Sequence, residues 1–304
     1  MSAQSTNHLF MIEPAVFYAN PETMETNVYQ VEETSETKDE LLALALNEFR
    51  TYRDKLISHG VIVTTALGHP ECPDMVFPNW MSMHRDAKDQ GQGKLFLYPM
   101  LNANRQAERT PEIIDMFKRI YTIIEDWSHY EDKGIALEST AAICMDRVNN
   151  IGYSTLSART DKDLAQKWHD EMGYQSVIFE TTSHTGKPVY HTDYMMFIGT
   201  KVAGVCMECI NDEYKETVWN SLNSTHEIVE LTMEQLQQSC GNALEVVSTD
   251  GEKMLTMSDS AYKALTQDQL DIFAKHYNTI ITSPLYTLEK YGGGSARCLL
   301  MEMF

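Results

Sequence analysis

Positive charge is scarce in this sequence. Lys and Arg number 24 against 44 Asp and Glu, a formal net charge of −20, and phosphate binding depends on the cations that are in short supply. Nucleic acid and anionic membrane surfaces are therefore not expected partners. Long apolar runs are missing as well. No window approaches the roughly 20 apolar residues of a membrane-spanning helix, and the opening MSAQSTNHLFMIEPAVF lacks a basic start followed by a sustained apolar stretch. The expectation is a cytoplasmic protein. Cysteine is sparse, with six in 304 residues, too few for a disulfide scaffold. Cys206 and Cys209 form a C-x-x-C, but no second ligand pair stands at zinc spacing. Two thiols in an apolar strand region are expected there, and no metal. Neither G-x-G-x-x-G nor a P-loop occurs at a strand-to-helix junction, so a nucleotide-binding fold loses support.

What the sequence has is a repeated helix start. Thr37 opens TKDELLALALNEFRTYRDKL, Thr110 opens TPEIIDMFKRIYTIIEDW, Thr160 opens TDKDLAQKWHDEM, Thr232 opens TMEQLQQSCGNAL and Thr266 opens TQDQLDIFAKHY. Each Thr predicts an N-cap, its hydroxyl accepting an unpaired first-turn N–H, with acidic residues following at the positive end of the helix dipole. Thr232 with Gln235, and Thr266 with Gln269, have capping-box spacing, and Pro111 holds the favoured first helical position. Most of these helices are followed by a short apolar or β-branched run: GVIVTTAL, GIALE, YQSVIFE, ALEVV and TIITS. Five helix-then-strand units predict an α/β fold without an evident domain break, with an ordinary doubly wound sheet as the alternative. At 43% hydrophobic composition the chain can bury a large core.

Four stretches concentrate polar groups among apolar or turn-forming neighbours: CPDMVFPNWMSMH, ALESTAAICMDR, VYHTDYMMFIG and GGGSARCLLMEMF. Glu138 ends an expected apolar strand before a small-residue turn, where α/β sites commonly lie. His191 and Asp193 flank Thr192, so in a strand they would share a face. A free cysteine with a pKa near 8.5 is only about 3% ionised at pH 7 and needs a base or cation to become a nucleophile. Cys298, His191 and Glu138 offer that combination on separate elements. Taken singly, each has a plain structural reading: a buried strand thiol, a satisfied core histidine and a strand-end charge. Gly292, Gly293 and Gly294 read as a flexible turn that would also let a substrate approach the backbone beside Cys298.

Together and in this order, the four stretches resemble the guanidino-modifying enzyme superfamily, the penteins, which includes arginine deiminases, dimethylargininases and amidinotransferases. GGGSARC resembles its nucleophile segment, VYHTD its histidine segment, ALE its acidic segment and PDMVF its substrate-side segment. LSARTD and YPMLNANRQAER add to the likeness, which runs from about residue 11 to the end. Within the superfamily, PAVFYANPETMETNVYQ, VFPNWMSMH and GGGSARC are most similar to the citrulline-utilisation hydrolases. The resemblance implies a single catalytic domain over 1–304, folded as a five-bladed α/β propeller of pseudo-fivefold symmetry. It implies Cys298 as nucleophile, His191 as general acid and base, and Glu138 as the carboxylate orienting His191. It further implies that Asp74 and Asp193 hold substrate nitrogens, and that Arg159, assisted by Arg105, binds the amino acid's carboxylate. No cofactor is implied. The partner is a small-molecule substrate, and a homodimer is left open.

One departure bears on the substrate. Dimethylargininases follow the PDMVF-like stretch with an acidic pair that grips the guanidinium, whereas here Pro78, Asn79 and Trp80 follow. A buried carboxylate facing a neutral ureido group would lack its cationic partner, while Asn79 can both donate to a ureido oxygen and accept from its nitrogen. That favours citrulline, to be cleaved to ornithine, ammonia and carbon dioxide. Asp193 argues the other way, since citrulline hydrolases carry Asn there and arginine deiminases Asp. Glu13 departs too, standing where the family usually has Arg. Guanidine hydrolysis, amidino transfer and a catalytically silent ligand- or protein-binding member are the alternatives.

Overall fold

The last strand of the chain pairs with the first. Met301–Glu302 lies antiparallel to His8–Glu13, with Leu9 opposite Glu302 and Phe10 opposite Met301, and His8–Glu13 also runs parallel to Ile62–Leu67. The structure, a computed structural model, describes residues 3–85 and 92–304. Four further sheets repeat this plan: Met81–Arg85, Gly93–Leu97 and Tyr121–Asp126; Cys144–Asp146, Ile151–Thr155 and Gln175–Phe179; Met196–Ile198, Val202–Val205 and Glu227–Glu230; Leu244–Val247, Lys253–Ser258 and Ile280–Ser283. In each, the middle strand is antiparallel to the first and parallel to the third. Parallel neighbours need a crossover, and helices supply it. The molecule is thus a mixed α/β fold of five small sheets.

Burial orders each unit from inside to outside. The first strands Cys144–Asp146, Met196–Ile198 and Met301–Glu302 are buried throughout, whereas the third strands Ile62–Leu67 and Tyr121–Asp126 are mostly half-buried or exposed. First strands pack on one another between units: Met301–Glu302 on Met81–Arg85, Cys144–Asp146 on Met196–Ile198, and that strand on Leu244–Val247. The fold therefore converges on the first strands and the loops that enter them.

Four of the five expected helices are crossover helices. Lys38–Ser58 starts from a Thr37–Glu40 capping box and buries Leu41, Ala45, Phe49, Tyr52 and Leu56 along one face. Gln267–His276 starts from the Thr266–Gln269 box. Pro111–Lys118 follows Thr110 but stops early. Its expected continuation, Tyr121–Asp126, is a β-branched run that becomes the outer strand of its sheet. Lys162–Met172 is capped by Asp161, which accepts from Leu164 N–H, in place of Thr160, whose backbone bridges to Leu137 and Ser157.

The Thr232 segment is the exception. Its capping box forms, yet the helix is only Met233–Gln237, and it precedes the fifth unit's first strand. The fourth crossover is Asp212–Asn223, entered from Asn211 without a side-chain cap bond. The expected GIALE strand is also absent; Leu137 makes one bridge, and Tyr121–Asp126 takes the strand position. Among the described residues, no helix is long and apolar enough to cross a membrane.

Candidate active site

Glu138 follows the Leu137–Thr160 bridge and precedes a single helical turn, Ser139–Ala142. Ser139 has φ +51°, a left-handed conformation uncommon for a non-glycine residue, and it bends the chain where Glu138 turns inward. Glu138 is fully buried. Its Oε1 accepts Leu101 N–H at 3.2 Å, and its Oε2 lies 2.7 Å from His191 Nε2 and 3.6 Å from Arg159 Nη1.

His191 is extended and leads into the turn Thr192–Met195, so the expected strand, with His191 and Asp193 on one face, does not form. Thr192 fixes the junction, its hydroxyl donating to Ala142 O at 2.6 Å and accepting Thr155 N–H at 2.9 Å. The two side chains diverge. His191 reaches Glu138, and Asp193 reaches Cys298, with Oδ2 3.6 Å from Sγ. Cys298 sits in a short 3-10 turn, Arg297–Leu299, just ahead of the closing strand Met301–Glu302.

Asp74, Asn79, Arg105, Arg159, His191 and Cys298 line one narrow cavity, walled by Phe77 and Tyr190. Glu138 stands behind His191. Asp193 is turned from this cavity and lines a second small cavity, together with Arg297 and Glu302. All eight residues singled out in the sequence thus meet within one region, six on the cavity wall and two supporting it.

Their engagement differs. Arg105 is held by the protein on one side: Nε donates to Glu108 Oε1 at 2.8 Å, and Nη2 to Phe77 O at 2.6 Å and Glu108 Oε2 at 3.1 Å. Arg159 donates to Thr23 O and to Thr26 Oγ1, and its guanidinium lies 5.0 Å from the centre of the Tyr190 ring. Asp74 Oδ2 accepts from Asn20 and Thr23, while the buried Oδ1 has no partner among the described residues. Glu13 takes no part, pairing instead with Arg50 and Arg53 on the helix surface.

Burial sets the protonation states. It would raise the Glu138 carboxyl, but the Arg159 cation and the His191 bond overcome it and hold the group at about 2. Burial lowers His191 to about 4 despite the carboxylate. At neutral pH the pair is carboxylate and neutral imidazole. The bond to Glu138 keeps the proton on Nε2 and leaves Nδ1, which has no partner among the described residues, as an unprotonated base. Burial pushes Asp193 to about 7 against the pull of Arg297, raises Asp74, and raises the Cys298 thiol, with Asp193 adding to the last shift.

Gly292 and Gly294 line the same cavity as Cys298, and the glycines also lie close against protein side chains. A Cβ on Gly292 would lie 2.7 Å from the Phe77 ring, and one on Gly293, where φ is +64°, would lie 2.6 Å from the Asn27 amide. They admit protein side chains against the nucleophile loop. Sequence reasoning missed Asn20 and Asn27, although both lie in the stretch PAVFYANPETMETNVYQ that carried part of the likeness. It missed Glu108, three residues from Arg105 on one helical turn, and Asn242, for which no motif gives a signal.

Residues 13–304 match the family model described as N,N dimethylarginine dimethylhydrolase, eukaryotic. Among solved structures, the N-terminal domain of ArgZ bound to substrate, an arginine dihydrolase from the ornithine–ammonia cycle in Cyanobacteria, has a TM-score of 0.73 at 15% identity, covering 97% of both chains. Unliganded AgrE gives 0.73 at 15% identity, over 98% of this chain and 39% of that one. Dimethylarginine dimethylhydrolase from Pseudomonas aeruginosa complexed with citrulline gives 0.64 at 15% identity, over 97% of this chain and 98% of that one. The chain spans 40% of full-length ArgZ. No curated protein matches significantly. At these identities the solved structures establish the fold.

Proposed function

Because the chain belongs to the N,N-dimethylarginine dimethylhydrolase family of the pentein superfamily, hydrolases of carbon–nitrogen bonds, we propose that it hydrolyses the ureido group of citrulline through a covalent intermediate on Cys298. The observation that carries the choice of substrate is Asn79, an uncharged amide on the same cavity wall as Cys298 and His191. Asp193, the residue that argued for a guanidinium in the sequence, faces the sulfur from outside that cavity.

In this reading His191 Nδ1 takes the thiol proton, and the resulting imidazolium is stabilised by Glu138. Cys298 Sγ then bonds to the ureido carbon. The imidazolium returns its proton to the substrate amine as the carbon–nitrogen bond breaks, releasing ornithine and leaving a carbamoyl group on sulfur. Water, deprotonated by His191 Nδ1, displaces the sulfur, and the carbamic acid decomposes to ammonia and carbon dioxide. Arg159 binds the substrate's carboxylate, and Asp74 binds ureido nitrogen through its unpartnered Oδ1. Arg105, on the same wall with Nε and Nη2 turned to Glu108 and Phe77, assists Arg159.

A second reading, hydrolysis of arginine, draws on that same Asp74 Oδ1, which as a carboxylate would pair with a guanidinium. It draws too on the fold's likeness to ArgZ, an arginine dihydrolase, and to AgrE, solved with L-arginine. The test is a product screen of citrulline, arginine, methylated arginines and agmatine, scoring ornithine, citrulline and ammonia separately. Ornithine from citrulline, lost in Cys298→Ala, supports the proposal. Citrulline accumulating from arginine supports the second reading, and turnover by Cys298→Ala refutes the nucleophile in either.

A further inference from the structure

One side-chain donor to the proposed nucleophile's sulfur is a residue that no motif marks. Asn242 is fully buried. Its Nδ2 donates to Cys298 Sγ at 3.1 Å and to Asp193 O at 2.9 Å, and its Oδ1 accepts Cys298 N–H at 3.2 Å. The Asn242 backbone carbonyl accepts Arg297 N–H at 3.4 Å. One residue thus ties the sulfur, the backbone of the turn that carries it, and the segment after His191.

The amide can face only one way. Flipped, its NH₂ would confront the Cys298 N–H and its oxygen the Asp193 carbonyl. The approach is tight: a Cβ on Gly241 would lie 2.5 Å from Tyr194 O and 2.6 Å from Met195 C, so the loop bearing Asn242 lies directly against the backbone two residues from Asp193. An N–H donated to sulfur is weak while sulfur is a thiol and stronger once it is a thiolate. An interaction that strengthens as charge develops accelerates the step rather than merely holding the fold.

Resting on the reading of Cys298 as nucleophile, we infer that Asn242 is a positioning residue of this hydrolase: its Nδ2–H is aimed at the attacking sulfur and its Oδ1 fixes the turn, so the thiolate is stabilised when it forms and again when it departs. Asn242→Asp keeps the shape and the Oδ1 acceptor but replaces the donor with an acceptor. Asn242→Ala removes both.

The experiment maps iodoacetamide alkylation of the Cys298 peptide from about pH 6 to about pH 10, alongside kcat, KM and a thermal melt, for wild type, both variants and Cys298→Ala. The inference expects the alkylation midpoint to move to higher pH, and kcat to fall about tenfold or more with KM within about threefold, the loss of one hydrogen bond to a charged acceptor. Asn242→Ser, which retains a hydroxyl donor, should recover part of both. A folded Asn242→Asp or Asn242→Ala with an unchanged midpoint and kcat overturns the inference. So does a variant that only lowers the melting temperature and raises KM. If Asn242→Asp does not fold, Asn242→Ala decides. Turnover persisting in Cys298→Ala instead defeats the nucleophile reading itself.

Discussion

Replacing Glu138 by Gln tests the carboxylate on which the proposed acid–base chemistry depends. Three donors converge on Glu138: His191 Nε2 at 2.7 Å, Arg159 Nη1 at 3.6 Å and Leu101 N–H at 3.2 Å. A carboxamide fits the same space but has one acceptor oxygen. With that oxygen toward His191, its NH₂ confronts Leu101 N–H. With the NH₂ toward His191, Nε2 must accept, the imidazole proton moves to Nδ1, and the base is lost. Either way the negative charge that stabilises the imidazolium disappears. A hydrogen bond to a charged group contributes about 1.5–3 kcal/mol, so kcat should fall about 10- to 150-fold, with KM little changed. Stability should also fall, by about 3 kcal/mol, because the buried Arg159 loses its carboxylate while keeping Thr23 and Thr26. The Glu138 carboxyl is held at about 2, below its ordinary 4.5. Its contribution is therefore present above about pH 4.5 and lost as pH falls toward 2. The stability gap between wild type and Glu138→Gln should narrow over that interval. Ornithine release across substrate concentrations, with urea unfolding as a function of pH, measures both effects. A folded Glu138→Gln whose kcat stays within about twofold of wild type refutes the reasoning.

Three further outcomes follow from other residues. Asn79→Asp puts a buried carboxylate on the cavity wall, so citrulline kcat/KM should fall by about 100-fold while arginine suffers less; a citrulline-to-arginine ratio that does not drop contradicts the role given to Asn79. Asp193 is raised to about 7 from 3.8 by burial, so between those pH values the folded state holds a proton that the unfolded chain has released, and stability falls as pH rises. In thermal melts, Asp193→Asn should flatten that dependence and melt higher than wild type above pH 7, with the gap closing toward pH 4. Gly293→Ala meets both a φ of +64° and the Asn27 amide at 2.6 Å, and should destabilise by about 1–3 kcal/mol and lower kcat; an unchanged denaturation midpoint would show that the loop has room to spare.

Local chemistry made much of the fold legible. Thr37 and Thr266 cap where their sequences say, because a capping box needs only residues three apart. The run Tyr121–Asp126 was misread as helix since its apolar spacing continues that of Pro111–Lys118; its pairing with Gly93–Leu97 decides for strand. The fourth crossover, Asp212–Asn223, was passed over for want of a Thr, and the genuine capping box at Thr232 took its place in the count. What ends that helix at Gln237 is the left-handed Ser239 and the packing of Gly241 on the Tyr194 backbone, neither of which a capping signal contains.

Composition and near-neighbour spacing were enough for the α/β class, two of the helix starts, the residue types available for chemistry and the neutral Asn79. Tertiary structure decided which of those residues face one another. Cys298 comes to the interior because Met301–Glu302 must pair with His8–Glu13, separated from it by nearly the whole chain. Arg105 is committed to Glu108, Asp193 turns to the far side of the sulfur, and Asn242 reaches that sulfur from another unit. The last two are contacts between segments with no local link, fixed by how the five units pack together, and so they are absent from any single stretch of sequence, whereas the Arg105–Glu108 pair spans only three residues.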